Sequence, residues 1–350
     1  MKVKIHNKIL SNENDSFIVA ELGVNHNRDL KLAKKLIIEA ANAGADAVKF
    51  QTWKTENIIL KTTEMTEYQK ESLSINESQF NMLKRLEMPY EWHYELKELA
   101  EEHGLIFFST MEDKESVDFL INELKIPMIK VGSGDLTNYP LLKYTAGFRI
   151  PMVLSTGMAT LSEIDEAVRI IYKEGNRELI LLHCTSQYPC PMEDVNLSAM
   201  LSLKCCFKTL TGFSDHTPDT EISVAAVALG ASYIEKHFTL DKLLPGPDHK
   251  ASIEPDNFKK MVNQIRNIEK AMGDGFKSPK SSELKNRKIV IRRIVASKNI
   301  EEGEILNDTN ISFKRANHGL EAKYYNLIYG KKVNRDILED DIIQLDYLSK

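Results

Sequence analysis

Short apolar runs of strand length alternate with helix-length amphipathic runs along most of this chain, and that alternation restricts the fold more than any other feature. "FIVAE" (Phe17–Glu21) precedes "LKLAKKLIIEAANAGA", in which Leu30, Ala33, Leu36, Ile37 and Ala40 fall on one helical face. "DAVKFQ" (Asp46–Gln51) follows, and a long polar connection and a helical region ending near "LKELAEEHG" lead to "LIFFST" (Leu105–Thr110). The series continues through "PMIKVGSGD" (Pro127–Asp135), "PMVLSTG" (Pro151–Gly157), "ELILLHC" (Glu178–Cys184), "TGFSDH" (Thr211–His216) and "SYIEKHF" (Ser232–Phe238). Each parallel crossover needs a dozen or more residues, usually a helix, so repeated units of this kind imply a parallel sheet. About eight units close a (β/α)8 TIM barrel. An open doubly wound sheet is the alternative. The barrel is preferred because every strand, not only those at one switch point, ends in polar residues.

The barrel is expected over residues 1–273. After Gly273 the composition turns polar and turn-rich, which predicts a linker over 274–288 and a small, mostly β module over 289–350. The net charge of −5 offers no basic field for nucleic acid, so an anionic ligand must be met by local cations. The N-terminal stretch lacks the apolar core of a signal peptide, and the longest apolar run, around Ile222 to Leu229, is too short to span a bilayer. A cytoplasmic protein with no membrane partner is therefore expected. Cys184, Cys190, Cys205 and Cys206 contain no CxxC pair, which speaks for reduced thiols rather than a zinc site or disulfide framework.

Barrel enzymes gather their working residues at the C-terminal ends of the strands. Here those ends hold Glu21, Lys49, Gln51, Thr110, Lys130, Ser133, Asp135, Ser155, Ser186, Tyr188, Ser214, His216, Glu235 and His237. Gly132-Ser133-Gly134 and Ser155-Thr156-Gly157 are turns whose N–H groups and hydroxyls can hold an anion. An ammonium aimed into a rim needs an anionic partner, so Lys49 and Lys130 call either for an anionic ligand or for Glu21, Asp135 or Glu235. His216 and His237 suit a divalent metal with positions left for water and substrate. Glu21 is the first choice for general base and Asp135 the second.

With these residues the chain resembles the sialic acid synthase family, which condenses phosphoenolpyruvate with an N-acylated amino sugar. The matching stretches are "AELGVNHN", "DAVKFQT", "KVGSGD", "STGMATLSEI", "LLHCTSQYP", "GFSDHT", "IEKHFTLDK" and "GPDHKASIEPDNF". "IEEGEIL" and "KRANHGL" resemble pieces of that family's antifreeze-like SAF domain. The resemblance implies that His216 and His237 hold manganese or magnesium, and that Lys49, Thr110, Lys130, Ser133, Ser155, Ser186 and Ser214 bind phosphoenolpyruvate. Ser186 stands where the family usually has asparagine. Glu21, Gln51, Tyr188 and Asp248 match sugar-holding positions, with Glu21 also near the reacting atoms. Arg315 aligns with an arginine that the SAF domain of the partner subunit delivers, implying a domain-swapped homodimer.

Two departures fall on the rim. The glutamate usual after Gly-Ser-Gly is Asp135 here, and "FSTMEDKES" replaces Ser-Thr-Pro-Phe-Asp. The loop "KRANHGLEA" keeps Arg315 but lacks the proline and second glycine usual after it. N-acetylmannosamine is the favoured sugar, giving N-acetylneuraminate, while "KFQT" and "EKHFTLDK…GPDHKAS" resemble the sialic and legionaminic branches about equally. The alternatives are a 2,4-diacetamido-trideoxy-hexose, giving N,N'-diacetyllegionaminate or pseudaminate, and a sugar-binding barrel without catalysis.

Overall fold

The computed structural model describes residues 1–67, 69–70 and 77–349, so part of the long polar connection after Gln51, and the last residue of the expected C-terminal module, lie outside the described residues. The chain forms two compact units, Met1–Gly273 and Asp274–Lys350.

The first unit is the closed barrel, and the open sheet is excluded. Its parallel strands are β3 (Phe17–Gly23), β4 (Ala47–Thr52), β5 (Ile106–Met111), β6 (Ile129–Val131), β7 (Met152–Ser155), β8 (Leu179–His183), β9 (Leu210–Asp215) and β10 (Tyr233–His237), with β10 returning to β3. Strand residues alternate between barrel interior and helix layer. Outward residues such as Ile18, Val48 and Leu181 join the apolar faces of the surrounding helices. Helix Leu30–Asn42 buries Ala33, Leu36, Ile37 and Ala40, the predicted face, and Asp29 caps its start by accepting from Lys31 N and Leu32 N. Helix Leu161–Lys173 begins with a capping box of Thr160 and Glu163 and buries Ile164, Ala167, Val168 and Ile171.

Inward residues form two zones. Phe17, Val19, Ala47, Ile106, Phe108, Met128, Val153, Ile180, Leu182, Leu210 and Tyr233 fill the N-terminal half. They share one apolar cluster with Val3, Ile5 and Leu10 from an antiparallel hairpin, β1 (Lys2–Ile5) and β2 (Lys8–Ser11). The hairpin therefore plugs the barrel floor, and its alternation "KVKIHNKIL" around a turn with His6 at φ 53° is its sequence signature. Above this plug the inward residues become ionisable: Glu21, Lys49, Lys130, Glu235 and His237.

The second unit pairs β11 (Arg292–Ala296) antiparallel with β12 (Ile311–Arg315). Its core is Ile294, Ala296, Ile300, Leu306, Ile311, Ile328, Val333, Ile337 and Ile343. Within the predicted 274–288 linker a helix begins and runs Ser281–Val290, with Lys280 N donating to Glu283 Oε2 at 2.8 Å. None of its residues is buried, so no apolar stripe announces it.

Candidate active site

The register of neighbouring strands sets the interior charges against one another. Glu21 pairs with Lys49 across β3 and β4, His237 with Glu21 across β10 and β3, and Glu235 with Ser214 across β10 and β9. Lys49 and Lys130 are each 3% exposed. Lys130 Nζ donates to Glu235 Oε1 at 2.9 Å, and Lys49 Nζ lies 3.6 Å from the same oxygen. Glu235 also accepts from Ser214 Oγ at 3.2 Å and from the Tyr233 hydroxyl at 3.0 Å. Lys49 donates to Thr110 Oγ1 at 2.7 Å and sits 2.9 Å from Glu21 Oε2, at ion-pair distance but not aligned as a hydrogen bond. Gln51 Nε2 donates to the other oxygen of Glu21 at 2.8 Å. The two lysines thus have carboxylate partners within the protein.

Burial would raise the pKa of Glu235, but Lys130 and Lys49 overcome it and hold Glu235 ionised, well below the usual carboxylate range. Burial pulls Lys49 down, yet Glu21 and Glu235 more than offset it and the ammonium is retained. Burial lowers Lys130, with Glu235 opposing. Glu21 is the carboxyl left over: burial pushes it up to about 7 against the pull of Lys49, within reach of proton exchange at neutral pH. Its position depends on Gly23, which takes φ +47° at an irregularity in the β3–β4 register. A Cβ there would stand 3.2 Å from Glu21 Oε1.

A second group surrounds the histidines. The ring centroids of His216 and His237 are 5.6 Å apart, and the Tyr188 ring lies 4.1 Å from His216 and 5.5 Å from His237. His216 Nδ1 donates to Thr185 O at 2.6 Å, which leaves the Nε2 lone pair free toward Ser214 Oγ, 3.4 Å away. His237 Nδ1 is buried without a hydrogen-bond partner, with Asp248 Oδ2 at 3.7 Å. Burial lowers His216 to about 4 and also holds His237 well below the usual histidine value, keeping both imidazoles neutral. Two neutral rings, one with a directed lone pair and one with an orphaned buried nitrogen, fit a divalent ion. Among the described residues no group of three or more His, Cys, Asp or Glu could complete such a site, so water and substrate would supply the remaining ligands.

Outward-facing residues of the same strands brace this pair. Lys236 and Asp215, each 1% exposed, form an ion pair at 2.9 Å. Asp215 also accepts from Thr217 N, Thr217 Oγ1 and Ser223 Oγ, and Lys236 donates to Thr217 O. The charged residues flanking the histidines therefore lock the ends of β9 and β10 together. The loop carrying Asp248 is braced by another chain of bonds. Asn27 Nδ2 donates to His249 Nε2 at 3.0 Å, His249 Nδ1 donates to Thr239 Oγ1 at 2.6 Å, and Thr239 donates to Asp241 O at 3.1 Å. This order needs a neutral His249, and burial lowers it to about 4. Asn25 Nδ2 adds bonds to Phe238 O and Ser252 Oγ.

The serines form a third group. Ser133 Oγ accepts from Gly157 N at 3.1 Å and lies 3.3 Å from Cys184 Sγ. A Cβ on Gly157 would stand 2.3 Å from Ser186 Oγ and 2.9 Å from Ser133 Oγ, so the glycine leaves room between two hydroxyls. Ser155, 3% exposed, ends β7 beside β8. Asp135 closes the short helix Ser133–Asp135, half-buried, with Asn138 Nδ2 donating to it at 3.0 Å and burial raising its pKa. Arg315 lies in the second unit, exposed at the end of β12.

The structure thus groups the barrel candidates into three clusters, the first two joined through Ser214. Two residues were underweighted in the sequence. Glu235 is the shared counter-ion of both lysines. Glu112, directly after β5, has its pKa pushed up to about 8 by burial and by Asp135, with Lys49 opposing. An ionisable residue two places beyond an inward strand threonine was the available signal.

Residues 36–277 match the NeuB family, and residues 291–349 match the SAF domain. The chain is 48% identical to the N,N'-diacetyllegionaminic acid synthase of Campylobacter jejuni, over 94% of this chain and 99% of that protein. It is 38% identical to the N-acetylneuraminate-9-phosphate synthase of Homo sapiens, over 93% and 91%. The N-acetylneuraminic acid (sialic acid) synthetase of Leptospira borgpetersenii, solved in complex with citrate, superposes with a TM-score of 0.72 at 36% identity, covering 82% of this chain and 95% of that one.

Proposed function

Because the chain belongs to the NeuB family, we propose that it condenses phosphoenolpyruvate and water with a 2,4-diacetamido-trideoxy-hexose, releasing phosphate and a nine-carbon 2-keto acid of the N,N'-diacetyllegionaminic type. This sugar replaces the N-acetylmannosamine expected from the sequence. The relative named for the legionaminic product is 48% identical, against 38% for the human N-acetylneuraminate-9-phosphate synthase. The observation that carries the condensation itself is the mouth's charge arrangement. Two buried ammoniums share one ionised carboxylate, beside hydroxyls and two neutral imidazoles.

In this reading Lys49 and Lys130 face the phosphate and carboxylate of phosphoenolpyruvate in a water-poor site, where such pairing is strong. Ser133, Ser155, Ser186 and Ser214 donate to its oxygens, and Gly157 keeps the space between Ser133 and Ser186. Gln51, Tyr188 and Asp248 hold the sugar. Manganese or magnesium on His216 and His237 would polarise the sugar's aldehyde oxygen. The methylene carbon of phosphoenolpyruvate bonds to the aldehyde carbon, and the aldehyde oxygen gains a proton. Water then adds at the carbon bearing the phosphate ester and gives up a proton; the C–O bond to the bridging oxygen breaks as the new hydroxyl becomes the keto oxygen, and that hydroxyl's proton departs with the phosphate. Glu21, poised near neutrality, would give and take these protons, with Asp135 as the second carboxyl. Arg315 would reach the sugar from a second subunit in a domain-swapped homodimer.

The test supplies phosphoenolpyruvate with each sugar in turn and measures phosphate release with and without manganese. The diacetamido sugar should exceed N-acetylmannosamine in kcat/KM by roughly tenfold or more, the scale of one polar contact. The reverse ranking would overturn the sugar assignment. No metal-dependent release from folded, metal-loaded protein would favour a barrel that only binds sugar.

A further inference from the structure

Tyr233 belongs to the apolar layer beneath the interior charges and is fully buried. It stands two residues before Glu235 on β10, so both side chains face the barrel interior, with Glu235 one rung nearer the mouth. Its ring lies against Phe17 of β3, the centroids 5.8 Å apart. Gly212 of β9 clears the space on another side: a Cβ there would stand 2.4 Å from Tyr233 O and 2.8 Å from Tyr233 Cβ. The tyrosine is thus packed between neighbouring strands, and a side chain with so few torsions has little freedom left.

An apolar residue would fill this position equally well, whereas a buried tyrosine hydroxyl needs a partner. Tyr233 donates to Oε2 of Glu235 at 3.0 Å. The other oxygen, Oε1, meets Lys130 at 2.9 Å, Lys49 at 3.6 Å and Ser214 Oγ at 3.2 Å. That division of labour is not fixed by the glutamate itself, because the last torsion of its side chain is broad. A hydroxyl carried on a packed ring does fix it. With Oε2 tied toward the apolar layer, Oε1 stays turned to both ammoniums. An untethered carboxylate could offer both oxygens to the lysines and occupy N–H groups that an incoming anion needs.

We propose that Tyr233 is a positioning residue of this mouth, which acts through Glu235 to set Lys49 and Lys130 for the phosphoenolpyruvate anion. The inference rests on the phosphoenolpyruvate reading above and adds a residue from below the charged layer, to which that reading gives no part.

The experiment uses Tyr233→Phe, which keeps the ring and its contact with Phe17 and removes the hydroxyl alone. Phosphoenolpyruvate is titrated by calorimetry into the full-length, manganese-loaded protein, and the sugar KM is measured at saturating phosphoenolpyruvate. The phosphoenolpyruvate Kd should rise about tenfold, the scale of one hydrogen bond to a charged group. The sugar KM should stay within about twofold of wild type, because the hydroxyl reaches the anion's partners and not the loops that carry Tyr188 and Asp248. Tyr233→Met, a second side chain without a hydroxyl, should show the same split and serves if the phenylalanine variant melts early. An unchanged phosphoenolpyruvate Kd would overturn the role of Tyr233. Parallel losses for both substrates would overturn it as well, by showing a general loosening of the barrel. A wild type that binds no phosphoenolpyruvate would instead overturn the proposed function.

Discussion

Glu235→Gln removes the one charge that both buried lysines share while keeping the side chain's volume. At an effective dielectric near 20, contacts of 2.9 and 3.6 Å are worth about 6 and about 5 kcal/mol of gross attraction. The net loss is smaller because the barrel can respond. Lys49 keeps Glu21 at 2.9 Å, whereas Lys130 is left without a carboxylate and can shed its proton. Neutralising a lysine at pH 7 costs about 5 kcal/mol, which caps the penalty near the 3–5 kcal/mol typical of a broken buried pair. At about 2 °C per kcal/mol for a domain this size, the variant should melt roughly 6–10 °C below the wild type at pH 7. The sign of the pH dependence follows from the same lysine. Its folded pKa would lie below its unfolded value, so stability is lowest below the folded pKa and recovers as pH rises toward 10. Differential scanning fluorimetry of both proteins from pH 7 to 10 should therefore show the gap narrowing. A variant melting within roughly 2 °C of the wild type at pH 7, or a gap that does not change with pH, would refute Glu235 as the counter-ion.

Two further substitutions address the other clusters. Gly157→Ala places a methyl group 2.3 Å from Ser186 Oγ, so phosphoenolpyruvate should bind at least roughly tenfold more weakly with little change in melting temperature; unchanged affinity by calorimetry would remove the serines from the anion site. His249→Ala should raise the sugar KM about tenfold and leave the phosphoenolpyruvate Kd near wild type, because it frees the loop bearing Asp248. His249→Asn, whose amide N–H can still reach Thr239, should restore part of the loss, and equal effects on both substrates would point to general destabilisation instead.

The barrel was legible because its signal is local. Each strand and helix declares itself within a dozen residues, as in the buried face of Leu30–Asn42. The rim was legible because strand ends can be read off in order. Pairings were not, since they depend on closure: Lys130 and Glu235 are 105 residues apart, and Lys49 and Thr110 are 61. The charges flanking His216 and His237 could be seen but not assigned. Only the observed register sends Glu235 inward to the lysines and Lys236 outward to Asp215. The exposed helix Ser281–Val290 buries nothing and so left no hydrophobic period to detect.

The hairpin under the barrel has a kinetic consequence. With Val3, Ile5 and Leu10 packed across the lower end, the doorway to the interior among the described residues is the mouth at the C-terminal ends of the strands. The lysines sit on the strands themselves, deeper than Tyr188 and Asp248, which belong to the loops above. Whatever occupies the deep position must come in before the doorway fills and can leave only after it clears. A reaction run in such a cul-de-sac has its order of arrival and departure imposed by architecture.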